Sequence, residues 1–146
     1  MGKRILFVCL GNICRSPSAE AVVRRKAEDR GLTVSLDSAG TGAWHIGEPP
    51  YGPMQQAARA RGYDLSGLRA RRVTRDDFDR FDMVVAMDRD NLEDLRALAP
   101  GGADLRLMTD FAPGCGASVP DPYYTRDFDG TLDLIERCAQ GLLDQL

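Results

Sequence analysis

Ile5-Leu6-Phe7-Val8-Cys9-Leu10-Gly11-Asn12-Ile13-Cys14-Arg15-Ser16-Pro17-Ser18-Ala19-Glu20 is the stretch that decides the fold. Its first four residues are all apolar, the pattern of a strand buried on both faces of a parallel sheet. Ser16 to Glu20 reads as a helix start, with Ser16 as N-cap and Pro17 at the first helical position. Glu20 then complements the positive end of the helix dipole. Strand, tight loop and helix N-terminus bring unpaired backbone N–H groups together, and such a cradle binds anions. Gly11 and Asn12 tolerate the left-handed backbone angles that let the loop curl back on itself.

Cys9 opens this loop and Arg15 closes it, a Cys-x5-Arg spacing. The planar guanidinium of Arg15 matches two oxygens of a phosphate. Cys9, facing the N–H groups and the helix end, is expected to be ionised, and a thiolate held where phosphate binds is a nucleophile aimed at phosphorus. The backbone from Leu10 through Gly11, Asn12, Ile13 and Cys14 to Arg15 and Ser16 would line the cradle. The plainer alternative is a cysteine that ends a buried strand and an arginine on the surface. Agreement of the strand, Gly-Asn, Arg and Ser-Pro signals favours the cradle.

Working outward, 146 residues with a formal net charge of −3 predict one domain, residues 1–146, with a single core. The charge disfavours a nucleic-acid partner, and no segment reads as a membrane span. The basic-then-apolar start is too short for a signal peptide. Four cysteines, at 9, 14, 115 and 138, do not make a disulfide scaffold in a chain of this length, so a cytoplasmic setting is expected. His45 is the only histidine and no cluster has zinc spacing, so no metal is expected. There is no nucleotide-binding Gly-x4-Gly-Lys motif.

The periodicity predicts a helix from Ser16 to about Arg30, with Ala19, Val22, Val23 and Ala27 inward and Gly31 as its stop. A strand follows over Thr33–Ser38, then a long loop from Ala39 to Pro50. Trp44 in that loop either walls the cleft or pins the loop to the core; His45 reads as a structural hydrogen-bonder. A helix is expected from Pro53 to Arg61, a solvated basic face over Leu68–Arg75, and a short turn ending near Phe81. Met83–Met87 reads as a third strand, Asp90–Leu98 as a helix broken by Pro100-Gly101-Gly102, and Leu105–Met108 as an edge strand. A second long loop spans Phe111 to Arg126 before a last helix from Asp129 to Leu143, in which Cys138 is a core residue. Alternating strands and helices predict an α/β fold in three layers, a four-stranded parallel twisted sheet flanked by helices on both faces. In such sheets the site lies at the carboxyl ends of the strands. Cys9, Ser38, Trp44, Asp88 and the last loop would then belong to one site.

That last loop holds Val119-Pro120-Asp121-Pro122-Tyr123-Tyr124. Expelling an alkoxide from phosphorus calls for a proton donor, and Asp121, restrained by two prolines, is the candidate. An ordinary Pro-Asp-Pro turn is the alternative. The Cys9–Pro17 loop, Asp37–Thr41, Ala86-Met87-Asp88 through Asn91, and Asp121-Pro122-Tyr123-Tyr124 together resemble the low-molecular-weight protein tyrosine phosphatases over nearly the whole chain. The resemblance implies Cys9 as nucleophile, Arg15 as phosphate clamp, Ser16 as a donor to the thiolate and Asp121 as acid. It also implies that Asn12 and Ser38 brace the loop, that Trp44 and Tyr123, with Tyr124 beside them, wall the cleft, and that Cys14 shields Cys9 by reversible disulfide formation. Leu68 stands where many relatives carry a histidine that braces the asparagine, so a looser loop with retained activity is expected.

The implied reaction is hydrolysis of a phosphotyrosine protein or small aryl phosphate through a cysteinyl-phosphate, releasing inorganic phosphate without a cofactor. A thiol-dependent arsenate reductase on the same fold is the rival; it needs further cysteines near the nucleophile, and none lies between residues 15 and 114. A non-catalytic phosphotyrosine-binding module is disfavoured by the intact Cys9, Arg15 and Asp121.

Overall fold

The computed structural model describes residues 2–99, 104–116 and 118–146. Its elements run β1 (Lys3–Cys9), α1 (Arg15–Asp29), β2 (Val34–Gly40), α2 (Gly52–Ala60), α3 (Asp77–Arg80) and β3 (Met83–Ala86). Then come α4 (Arg89–Leu98), β4 (Leu105–Leu107), a 3₁₀ turn (Met108–Phe111), α5 (Pro122–Thr125) and α6 (Phe128–Asp144). The expected break at Pro100-Gly101-Gly102 lies outside the described residues.

All strand pairs are parallel, in the order β2-β1-β3-β4. The period of two along β1 sorts its side chains between two cores. Ile5, Phe7 and Cys9 join the core built with α1, α2 and α6, while Leu6 and Val8 join the one built with Leu92 and Leu95 of α4 and Val73. The sheet therefore carries helices on both faces, as the alternation of elements predicts. β1 has β2 on one side and β3 on the other, so the chain leaves it in opposite directions. That divergence opens a crevice above its carboxyl end, where Cys9 sits.

Three expectations are corrected. Helix α1 begins at Arg15 with Cys14 as N-cap and no side-chain cap, so neither Ser16 nor Pro17 holds the position expected of it. The Ser16 hydroxyl is taken by Cys9 and Asn12 instead, and Pro17 falls within the first turn, where N–H groups lack intrahelical partners in any case. Strand β2 runs on through Ala39 and Gly40, which pair with Val8 and Cys9 of β1, and the 70–73 segment bridges its other edge: Gly40 N–H donates to Arg71 O at 2.8 Å and Val73 N–H to Gly40 O at 2.8 Å. A β-carbon at Gly40 would lie 2.7 Å from Leu10 O, so only glycine lets β2 pass this close to the loop. The second long loop is not structureless either, since it contains the whole of α5.

The basic segment is correspondingly more than a solvated face. Arg71 reaches Asp37 and makes a two-pronged pair with Asp77 at 3.0 Å on each prong. Burial alone would raise the Asp77 carboxyl, but Arg71 and the Thr74 N–H outweigh it and hold Asp77 below the ordinary carboxylate range.

Candidate active site

Cys9, the last residue of β1, is 2% exposed, with its sulfur inside the curl of the loop. The Asn12 N–H donates to Cys9 Sγ at 3.2 Å and Ser16 Oγ lies 3.0 Å from it. Asn12 takes the left-handed angle, φ 57°, that the curl requires, and its side chain then locks the shape. Its Nδ2 donates to Ser16 Oγ at 2.8 Å and to Ser38 Oγ at 3.0 Å, and its Oδ1 accepts from the Arg71 N–H at 3.0 Å. Ser38 in turn donates to Glu20 Oε1 at 2.9 Å, and Glu20 accepts from Arg24 at 2.6 Å. Glu20 thus serves this network rather than the helix end. Leu68 offers no donor to the Asn12 carboxamide, which finds its partners elsewhere. A backbone donor three residues further along occupies the carboxamide oxygen, and Leu68 packs against the core.

Arg15 is 2% exposed and its guanidinium is held from the far side. Nη1 donates to Asp88 Oδ2 at 2.7 Å and to Val119 O at 3.0 Å; Nη2 lies 3.4 Å from Asp121 Oδ2. Burial alone would lower the Arg15 pKa, but the Cys9 sulfur, the Asp88 hydrogen bond and the Asp121 and Asp88 charges keep it above its ordinary value. Asp88 also caps α4, accepting from the Asn91 N–H at 2.8 Å, so one carboxylate fixes both a helix and the clamp. Asp121 is the N-cap of α5, accepting from the Tyr123 N–H at 3.0 Å.

These groups surround one cleft of about 350 Å³ lined by Cys9, Leu10, Gly11, Ile13, Cys14, Arg15, Trp44, His45, Asp121, Tyr123 and Tyr124. Asn12, Ser16 and Ser38 do not line it; their side chains brace the loop from behind. Trp44 is 70% exposed and Tyr124 72%, which places Trp44 at the rim and not in the core. His45 bonds Glu48 through Nδ1 at 2.7 Å and lines the cleft as well. Cys9 and Cys14 form no disulfide, and burial, followed by the neighbouring Cys9, pushes the Cys14 thiol up to about 12. Among the described residues no group of three or more His, Cys, Asp or Glu is placed to hold a metal ion. No helix of the described residues is long and apolar enough to cross a membrane.

Sequence reasoning placed Asp88 in the site without giving it a task, and assigned no role to Arg71, Tyr51 or Arg126. Asp88 carried a usable signal, an acidic residue between a buried strand and a helix start. For Arg71 and Tyr51 the partners are remote in sequence, and nothing local marks them.

The family profile for low molecular weight phosphotyrosine protein phosphatase matches residues 4–146. A low molecular weight protein-tyrosine-phosphatase from Streptomyces coelicolor is 45% identical over 153 residues, covering 98% of this chain and 93% of its own. The crystal structure of YfkJ from Bacillus subtilis superposes with a TM-score of 0.95 at 41% identity, over 99% of this chain and 94% of that one. The protein tyrosine phosphatase of Entamoeba histolytica, crystallised with Hepes in its active site, gives a TM-score of 0.94 at 36% identity, over 99% of this chain and 96% of that one. On a profile that spans almost the entire sequence and relatives this similar end to end, the chain belongs to the low molecular weight phosphotyrosine protein phosphatase family.

Proposed function

We propose that this chain hydrolyses phosphotyrosine in proteins through a cysteinyl-phosphate. Cys9 Sγ attacks phosphorus in line as a thiolate, with the Asn12 N–H and the Ser16 hydroxyl as its donors. The S–P bond forms as the P–O ester bond breaks, and Asp121 gives its proton to the departing phenolate. Loop N–H groups and the Arg15 fork hold the equatorial oxygens, stabilising charge where it develops. Water then attacks the phosphoenzyme, Asp121 takes a proton from it, the S–P bond breaks and inorganic phosphate leaves.

One observation carries this reading: Cys9, Arg15 and Asp121 line one cleft, with Arg15 Nη2 3.4 Å from Asp121 Oδ2. A bound phosphate dianion competes for the same Arg15 donor. The aromatic rim of Trp44, Tyr123 and Tyr124 suits an aryl ester, and the relatives' names point the same way.

The test is acid-quenched turnover of a phosphotyrosine peptide against its phosphoserine counterpart. Labelled phosphate should be trapped on Cys9, the phosphotyrosine peptide should be strongly preferred, and Cys9→Ser should lower turnover by roughly 10⁴-fold or more. Label on another residue, or near-normal turnover by Cys9→Ser, overturns the mechanism.

A further inference from the structure

The phosphate side and the acid side of the cleft are joined by a tyrosine that this scheme does not use. Tyr51 directly precedes α2, and its N–H donates to Ile13 O at 2.8 Å, which ties its backbone to the phosphate loop. Its ring leaves that loop and meets the acid side. The Tyr123 ring packs on it at 5.2 Å between centroids, and the Phe128 ring lies at 6.1 Å. Arg126 closes the stack. Its Nη1 donates to the Tyr51 hydroxyl at 3.0 Å, and its guanidinium lies 5.3 Å from the Tyr51 centroid and 5.1 Å from that of Phe128.

The backbone at Arg126 makes this contact informative. Arg126 ends α5 with φ 64°, a left-handed angle that favours glycine, and its N–H accepts the role of helix stop by donating to Pro122 O at 2.9 Å. The same guanidinium also reaches Tyr123 O at 3.4 Å. Helix α5 is only four residues long and cannot hold itself, so its position depends on what grips its two ends. Asp121 caps the first end and Arg126 terminates the second.

We propose that Tyr51 and Arg126 form a clasp that fixes the α5 turn to the phosphate loop, making both of them positioning residues for proton transfer by Asp121. The inference rests on Asp121 being the acid. Neither residue lines the cleft, so the clasp acts through the placement of the carboxyl and not by touching substrate. Its loss should therefore be felt where the leaving group needs a proton and little where it does not.

The experiment compares kcat/KM for phenyl phosphate, a poor leaving group, with p-nitrophenyl phosphate, a good one. Glycine suits the backbone at 126, so Arg126→Gly removes the cation without adding strain. It should lower kcat/KM about 10-fold on phenyl phosphate and about 2-fold on the nitrophenyl ester. Tyr51→Phe keeps the ring and loses the hydrogen bond, and should give a smaller loss in the same direction. In an Asp121→Asn background, Arg126→Gly should add nothing on phenyl phosphate. Equal losses on the two esters, or a full multiplicative loss on top of Asp121→Asn, overturn the clasp. If Asp121→Asn itself fails to separate the two esters, the acid assignment falls and takes the clasp with it. If Asp121→Asn separates them and Arg126→Gly does not, the clasp alone falls.

Discussion

Around Cys9 the polar side chains are buried and mutually satisfied, whereas around Asp121 the side chains stand partly in water. Asn12, Arg15, Ser16 and Ser38 are each under 5% exposed, while Tyr123 is 43% and Tyr124 72% exposed. The first region is a hydrogen-bonded floor whose geometry is set before any substrate arrives. The second is a short helical turn kept in place by stacked rings and a cation. The contrast matches two tasks. Charge developing on a phosphoryl group is the same for every substrate and is best met by fixed dipoles, whereas the leaving group arrives on a varied polypeptide. A floor of this kind fails when one member is removed; a rim of this kind yields by degrees.

Arg15→Lys is the strongest test of that contrast. Lysine keeps the charge but cannot offer Asp88, Val119 O and phosphate a planar fork together. Turnover of p-nitrophenyl phosphate should fall by roughly 10²–10³-fold in steady-state assays. A loss below 10-fold would mean the floor adapts after all. Ser38→Ala sharpens the comparison at the next level. It leaves Asn12 Nδ2 and the buried Glu20 carboxylate each short of one partner, about 2 kcal/mol of stability by urea unfolding. An exposed rim substitution such as Tyr124→Phe should stay within about 0.5 kcal/mol in the same measurement.

The gentlest probe is pH. Asp77 is held below the ordinary carboxylate range by Arg71, and Arg71 supplies the N–H that Asn12 accepts. A carboxylate with a depressed folded-state pKa contributes stability that is complete above its unfolded value, near 4, and lost as pH falls through the folded one. Unfolding free energy measured from pH 6 down to pH 3 should therefore decline less steeply in Asp77→Asn than in the parent. Parallel curves would remove Asp77 from the floor's supports.

The sheet and the cleft were legible in the sequence because their signals are local. Ile5–Val8 and Met83–Ala86 are apolar runs of strand length, and the loop between Cys9 and Arg15 carries its own turn chemistry. The misreadings share one cause, which is partners that no local signal marks, whether a few residues off or far along the chain. Ser16 looks like a cap until Cys9 and Asn12 claim its hydroxyl. Arg71 looks solvated until Asp37 and Asp77 fold against it, and Gly40 looks like loop until the 70–73 segment pairs with it. The donor that meets Asn12 Oδ1, where Leu68 offers none, is the main-chain N–H of Arg71, and any residue type supplies one. The Tyr51–Arg126 contact joins positions 75 apart in sequence, beyond the reach of any motif.

The left-handed asparagine at position 12 has a consequence for engineering. Glycine would meet the backbone angle but offer no carboxamide, and aspartate would lose the two donated bonds, so no other side chain supplies both shape and cross-links. Grafting residues 9–16 alone onto a foreign strand–helix scaffold should consequently give an inert peptide bow. A working transplant has to carry three remote anchors with it: a hydroxyl on the adjacent strand, the carboxylate beneath it, and a main-chain amide from a neighbouring segment.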